Sequence, residues 1–186
     1  MNPSLLELPA SVETQRLLLR MPLVGDGKVV NKAIRESIRE LKPWLPFVQN
    51  TPEVEETEVN IREAHARFLR REDLRYLIFH RETQEFIGTC SLHNIDWDVP
   101  KCEAGYWIRT KYSGKGYMTE AIEQLTRIAV DDLHCRRIEI RIETENVKSR
   151  AIPERLGFAL EAVLKNEDLS VDGEQLTDTV IYAKTV

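Results

Sequence analysis

Six consecutive residues, Lys111-Tyr112-Ser113-Gly114-Lys115-Gly116, carry the strongest chemical signal in the chain. Two glycines let a backbone turn sharply and come close to a ligand. Loop amides without partners, followed by a helix N-terminus and flanked by Lys111 and Lys115, make an anion site. The same residues suit a tight strand-to-helix turn whose lysines are merely solvated, and on the loop alone both readings stand. It is not a P-loop, because Tyr117 follows Gly116 where Lys-Ser/Thr is needed. Nor is it a dinucleotide fingerprint, which requires a third glycine and an acidic residue after a second strand.

The loop must be held by the elements on either side. Ala104, Tyr106 and Ile108 alternate with Gly105, Trp107 and Arg109, the period of a strand. Met118, Ile122, Leu125, Ala129 and Leu133 recur at helical spacing and give one apolar face. Upstream, Thr14–Met21 reads as a strand and Asp26–Leu41 as an amphipathic helix ended by Pro43 and Pro46. Thr51 and Pro52 suit the N-cap and first position of a second helix through Phe68. Strands are expected at Leu74–His80, Glu85–His93, Ile138–Ile142, Phe158–Leu164 and Thr177–Lys184, with a short helix starting near Asn146 or Ser149 and closed by Gly157. This order fits a mixed sheet with helices on both faces.

At 186 residues, 42% hydrophobic and 31% charged, the chain is expected to form one domain, residues 1–186, with its own core. No segment is an uninterrupted apolar span, and Met1–Ala10 lacks the pattern of a signal peptide, so neither membrane nor export is expected. Cys90, Cys102 and Cys135 are odd in number without metal spacing, which fits reduced thiols in a cytoplasm. A net charge of −5 argues against nucleic-acid binding and mildly favours a cationic substrate. His65, His80, His93 and His134 are scattered; His93, at a strand end, is the one kept in reserve. No metal constellation appears.

Lys111-x-x-Gly114-x-Gly116, after Gly-Tyr-Trp-Ile and before Tyr-Met-Thr-Glu-Ala, resembles the acetyl-CoA signature of the GNAT superfamily of N-acetyltransferases. Lys111 departs from the usual Arg or Gln, keeping the cation and losing a planar fork. Glu13-Thr14-Gln15-Arg16-Leu17, Trp44-Leu45-Pro46 and Asn146-x-x-Ser149-x-x-x-x-Glu154-x-x-Gly157-Phe158 resemble its Rim-type branch, which acetylates N-termini of ribosomal proteins. The resemblance runs along nearly the whole chain. It implies an α+β fold with a mixed, mostly antiparallel twisted sheet, helices on both faces and splayed central strands. It implies acetyl-CoA as co-substrate, held by Trp107, Ile108, Lys111, Tyr112, Ser113, Gly114, Lys115, Gly116, Tyr117 and Met118, with Asn146 and Ser149 beside the thioester. For Tyr106 and Trp107 the side chains are expected to pack in the core and the backbone to meet the pantetheine.

Many superfamily members place a tyrosine four residues before the Gly-Phe to protonate the departing thiolate; here that position is Pro153. The resemblance shifts the role to Ser149, whose plainer role is a helix N-cap worth about 1 kcal/mol. Pro153 also removes the amide that would have bonded the Ser149 carbonyl. Glu103 and Asp168 are the candidate bases, with Glu167 as an alternative alignment and solvated surface as the plain reading of each. At pH 7 an α-amine is neutral roughly a tenth of the time and a lysine about once in 2,500, so an N-terminal acceptor needs less help. The expected function is acetyl transfer to a protein N-terminus, with a polyamine or antibiotic acceptor, or a non-catalytic acyl-CoA-binding scaffold, as alternatives. The proline-bounded Trp44, Leu45 and Phe47 are expected to line an acceptor groove or a homodimer contact.

Overall fold

Strand alternation and helical periodicity set most of the architecture. The computed structural model describes residues 3–186, with residue 4 described by its backbone alone. Twelve elements follow in order: β1 Ser11–Glu13, β2 Leu17–Arg20, α1 Gly27–Leu41, α2 Val54–Leu69, β3 Leu74–His80, β4 Phe86–Asp96, β5 Lys101–Ile108, α3 Tyr117–Arg127, β6 Arg137–Glu143, α4 Val147–Arg155, β7 Ala159–Leu169 and β8 Leu176–Thr185. The strands form one sheet in the order β1-β2-β3-β4-β5-β6-β8-β7. Every pairing is antiparallel except β5 with β6.

Because side chains alternate across a sheet, each strand feeds two cores. Leu74, Tyr76, Ile78, Ala104, Ile138 and Ile140 pack under Met118, Ile122 and Leu125 of α3. Leu77, Phe79 and Phe86 point the other way, against Val30 and Ile34 of α1 and Ile61 of α2, with Trp107 at the margin. Helices thus cover both faces, as the element order implies.

Several boundaries differ from the sequence reading, each for a local reason. The strand expected over Thr14–Met21 shortens to β2, Leu17–Arg20, with an unexpected β1 before it, because the Thr14 N–H bonds the Leu17 carbonyl and the Thr14 hydroxyl accepts the Leu17 N–H at 3.0 Å, making a turn between them. Glu53, not Thr51, is the N-cap of α2, in a reciprocal capping box with Glu56. The Pro52 carbonyl is taken instead by Asn31 Nδ2 of α1 at 2.8 Å, which ties residue 52 to the other helix. The third helix keeps its apolar face to Leu133, but beyond Arg127 it widens into a π-helical turn, Ile128–Asp132. The last two strands run longer than their apolar pattern and form a largely exposed hairpin.

Helices α1 and α2 touch backbone to backbone. Glu58 of α2 accepts the Gly25 and Gly27 N–H groups, both at 2.9 Å. A Cβ at Gly27 would lie 2.5 Å from the Glu58 Cα, so only glycine fits. Gly27→Ala forces the two helices apart. It is expected to lower stability by about 1–3 kcal/mol in urea unfolding, and an unchanged midpoint would show that the contact can relax freely.

Candidate active site

Strands β5 and β6 pair only over Lys101–Glu103 and Arg137–Glu139. Beyond that point β5 continues on β4 to Ile108 and β6 continues on β8 to Glu143. Two facing backbone edges are therefore left without a strand partner, an arrangement suited to an extended, amide-bearing ligand.

The Lys111–Gly116 loop closes one end of this gap. Gly114 and Gly116 have φ of 74° and 78°, and Gly116 caps α3 in the left-handed conformation. Any other residue there is strained by about 1–2 kcal/mol. Motif residues far upstream hold the turn in place. Glu120, in the first turn of α3, accepts bonds from the Thr14 hydroxyl at 2.6 Å, the Arg16 N–H at 2.9 Å and Arg16 Nε at 2.7 Å. Arg16 also donates to the Lys115 carbonyl at 3.0 Å and lies over the Tyr117 ring, 4.4 Å from its centre. The role of the segment Glu13–Leu17 is thus to pin the loop.

The two loop lysines are not equivalent, which corrects the sequence reading of both as free charges. Lys111 Nζ pairs with Glu85 at 2.7 Å, and the Tyr112 hydroxyl donates to the same carboxylate at 2.5 Å. Those two bonds hold Glu85 well below the usual carboxylate range, at about 2. Lys111 therefore braces the turn. Lys115 makes no ion pair among the described residues and lies 5.6 Å from the Tyr112 ring centre, leaving its charge for an anion. Ser113 ends the short 3-10 turn Thr110–Tyr112, and Met118 is buried beneath α3, so Met118 can offer its amide but not its side chain.

At the other end, Asn146 is the N-cap of α4: its Oδ1 accepts the Ser149 N–H at 3.3 Å. The cap expected of Ser149 belongs to Asn146, and the Ser149 hydroxyl has no hydrogen-bond partner among the described residues. The Ser149 carbonyl, orphaned by Pro153, accepts the Tyr106 hydroxyl at 2.8 Å. Tyr106 is thus more than core packing. Burial pushes its phenol well above the ordinary value, keeping it a donor. Trp107 lies against Phe86, with ring centres 5.8 Å apart, and Ile108 packs at the edge of the α3 core, as expected of their side chains.

The candidate bases are separated. Glu103 sits where β5 and β6 part, its Oε2 3.7 Å from His93 Nε2, and His93 Nδ1 is 3.4 Å from Ser91 Oγ. Asp168 lies past a bulge in β7, exposed, with its Oδ1 accepting the Leu169 N–H at 2.8 Å. Its charge falls instead on Glu143, at the open end of β6, whose carboxyl is raised first by partial burial and then by Asp168, Glu145 and Asp172. Four residues of strand, roughly 13 Å, separate Glu143 from Glu139, the partner of Glu103. Glu167 is spent on Arg141 at 2.8 Å. Neither the His93–Glu103 pair nor Glu143 stands out in the sequence, where only strand alternation hints at a shared face.

On the α1/α2 side of the sheet a cavity of about 540 Å³ opens beside β5. Val30, Ile34, Leu45 and Phe47 line its wall, and Ser91, Gly105 and Trp107 its floor. Leu45 and Phe47 thus meet the groove expectation; Trp44 is not part of the lining.

A model described as "Acetyltransferase (GNAT) domain" matches residues 16–159. The chain belongs to the GNAT acetyltransferase family. Over 96 residues it is 42% identical to YdaF of Bacillus subtilis (strain 168), whose name describes an N-acetyltransferase, covering 52% of this chain and 51% of that protein. The chain thus spans about half the length of the first curated relatives it matches. A ribosomal-protein-serine acetyltransferase of Escherichia coli (strain K12) is 26% identical over 175 residues, covering 90% of this chain and 93% of that one. Among solved structures, RimL, a ribosomal L7/L12 alpha-N-protein acetyltransferase in complex with coenzyme A, superposes with a TM-score of 0.86 at 22% identity, over 96% of this chain and 97% of that chain. That likeness shows the shared GNAT fold. No described helix is long and apolar enough to cross a membrane.

The link from Pro153 through Ser149 to Tyr106 is measurable. Tyr106→Phe leaves a half-buried carbonyl unmet and should lower stability by about 1 kcal/mol. Combined with Pro153→Ala, which restores a helical amide, the loss should shrink well below the sum of the two single changes. Strict additivity in urea unfolding would show that the carbonyl does not connect them.

Proposed function

We propose that this family member transfers the acetyl group of acetyl-CoA to the α-amine of a protein N-terminus. The observation that carries the reading is the gap between β5 and β6, with Ser149 over one face and the apolar cavity on the other. The Ser113–Met118 amides and Lys115 hold the pyrophosphate, and the free backbone edge of Ala104–Ile108 receives the pantetheine amides. Trp107 and Ile108 act through that backbone, Lys111 and Tyr112 by shaping the loop, and Asn146 offers the Nδ2 that its capping role leaves unused.

The acceptor nitrogen reaches the gap from the cavity past Gly105, whose missing side chain leaves room beside His93. As the N–C bond forms and the C–S bond breaks, the His93–Glu103 pair takes the amine proton, directly or through a water. Ser149 donates to the departing sulfur and is reprotonated from solvent. Among the alternative bases, Glu143 and Asp168 stand at the open end of the gap, the more distant position from the cavity floor. An N-terminal α-amine fits this modest machinery, since it is deprotonated far more often than lysine at neutral pH. The E. coli relative named a ribosomal-protein-serine acetyltransferase supports a protein acceptor.

The test compares a Ser-starting peptide, its N-blocked lysine-containing counterpart and spermidine, following release of CoA thiol. The Ser peptide should have the highest kcat/KM; higher efficiency on either rival acceptor overturns the N-terminal assignment. Ser149→Ala should lower kcat by 10²-fold or more with little change in the KM for acetyl-CoA. Gly114→Ala with Gly116→Ala should do the reverse, raising that KM.

A further inference from the structure

The cavity that receives the acceptor has a cation in its lining. Arg75 projects from β3 on the α1/α2 face, directly across from Ser91 of β4, which in turn faces Gly105 of β5. A guanidinium has five N–H donors in a fixed fork, and the one bond it makes among the described residues runs from Nη1 to Asn60 Oδ1 at 2.7 Å. Arg75 makes no ion pair among the described residues, unlike Arg16, Arg20, Arg109 and Arg137. Two carboxylates lie in its neighbourhood without pairing with it: Asp73, whose Oδ2 is 3.8 Å from Arg67 and whose Oδ1 is buried with no hydrogen-bond partner among the described residues, and Glu56 of the cavity lining, which accepts the Glu53 N–H at 2.8 Å. Burial of Arg75 disfavours its charge, with Asp73 opposing and Arg67 adding to the effect. A half-buried guanidinium with no ion pair among the described residues, beside apolar walls, suits an anion.

We infer that Arg75 binds a carboxylate on the acceptor, supplied by an acidic side chain at the second or third residue of an N-terminal peptide. This rests on the acceptor reading of the cavity given above. Two strand spacings, about 9–10 Å, separate Arg75 from Gly105 along the sheet. With the amine at Gly105, an extended peptide rising about 3.3 Å per residue brings the second or third side chain to Arg75. The planar fork favours a carboxylate gripped by two N–H groups over a peptide carbonyl. The acidic balance of the chain then acts as a filter: Glu103 and the Glu143 cluster attract the amine, and Arg75 attracts a negative charge only at a set distance from it.

Four C-terminally amidated peptides test this: Ser-Asp-Ala-Ala-Phe, Ser-Ala-Asp-Ala-Phe and the two with Asn for Asp. Equilibrium binding to the CoA-loaded protein and acetylation rates are both read, for the native chain, Arg75→Gln and Arg75→Lys. The native protein should prefer at least one Asp peptide over its Asn twin by about tenfold or more. The ratio should fall to near one in Arg75→Gln and be partly kept in Arg75→Lys. A rise in melting temperature with CoA confirms that each variant is folded. A native ratio near one, or an undiminished ratio in Arg75→Gln, overturns the anion site. Acetylation without charge preference leaves the transferase reading standing and removes this one. Charge-dependent binding without acetylation does the opposite.

Discussion

The parting of β5 from β6 is the constraint on which the rest of the molecule depends. The two strands share three residue pairs, whereas β5 shares seven with β4 and β6 seven with β8. Each is held by the longer antiparallel ladder on its outer side, and the twist of the sheet then carries them apart. The consequence is a row of backbone N–H and C=O groups inside the sheet with no strand to meet them, which must be met by water or by a ligand. In the proposed reading the amide-bearing arm of acetyl-CoA meets that need. The loop at Gly114–Gly116 and the start of α4 matter because they stand at the two ends of this opening.

Charge pairing sorts the cations by task. Lys111 is neutralised by Glu85, Arg109 by Glu36 and Arg16 by Glu120, and each of these pairs braces the loop or the elements leading into it. Such partly exposed pairs contribute little stability singly; their effect is to fix geometry. Lys115 and Arg75 make no ion pair among the described residues, and what sets them apart from other such cations is position: one lies at the glycine loop and one in the cavity lining on the α1/α2 face of the sheet. In the proposed reading these two cations meet anionic parts of ligands, while the carboxylates around the gap favour an amine.

Much of this was legible in the sequence wherever the signal was local. Alternation in Ile138–Ile142, the apolar face of Met118–Leu133 and the glycines of the loop translate directly into β6, α3 and a left-handed turn. What was not legible depends on which residues face one another across strands. His93 meets Glu103 through strand register, Arg75 meets Asn60 where α2 packs on the sheet, and Lys111 meets Glu85 across two turns, none of which spacing within one segment reveals. The cap of α2 is displaced by two residues, and of the two starts open for α4 the cap is Asn146 and not Ser149. Asn31 of a different helix holds the Pro52 carbonyl, and Asn146 reached the free amides before Ser149 could. Asp168 and Glu103 look equivalent as lone carboxylates, yet the fold sets them at opposite ends of the gap.

Pro153 shows how a break in local structure can serve a distant contact. Inside α4 a proline forfeits one helical bond, a change that ordinarily destabilises a helix by about 3 kcal/mol. Here the forfeited bond exposes the Ser149 carbonyl as an acceptor, and Tyr106 reaches it from β5. In an unbroken helix the same carbonyl would already accept the residue 153 N–H, leaving a weaker acceptor for Tyr106. The hydrogen bond ties the helix that carries Ser149 to the strand that lines the gap, so the distance between hydroxyl and strand is fixed by a directed contact. A residue with an N–H at position 153 would add a helical bond to the same carbonyl and compete with Tyr106 for it. The proline leaves that carbonyl to Tyr106, so the placement of Ser149 and the absence of a tyrosine at 153 are structurally linked.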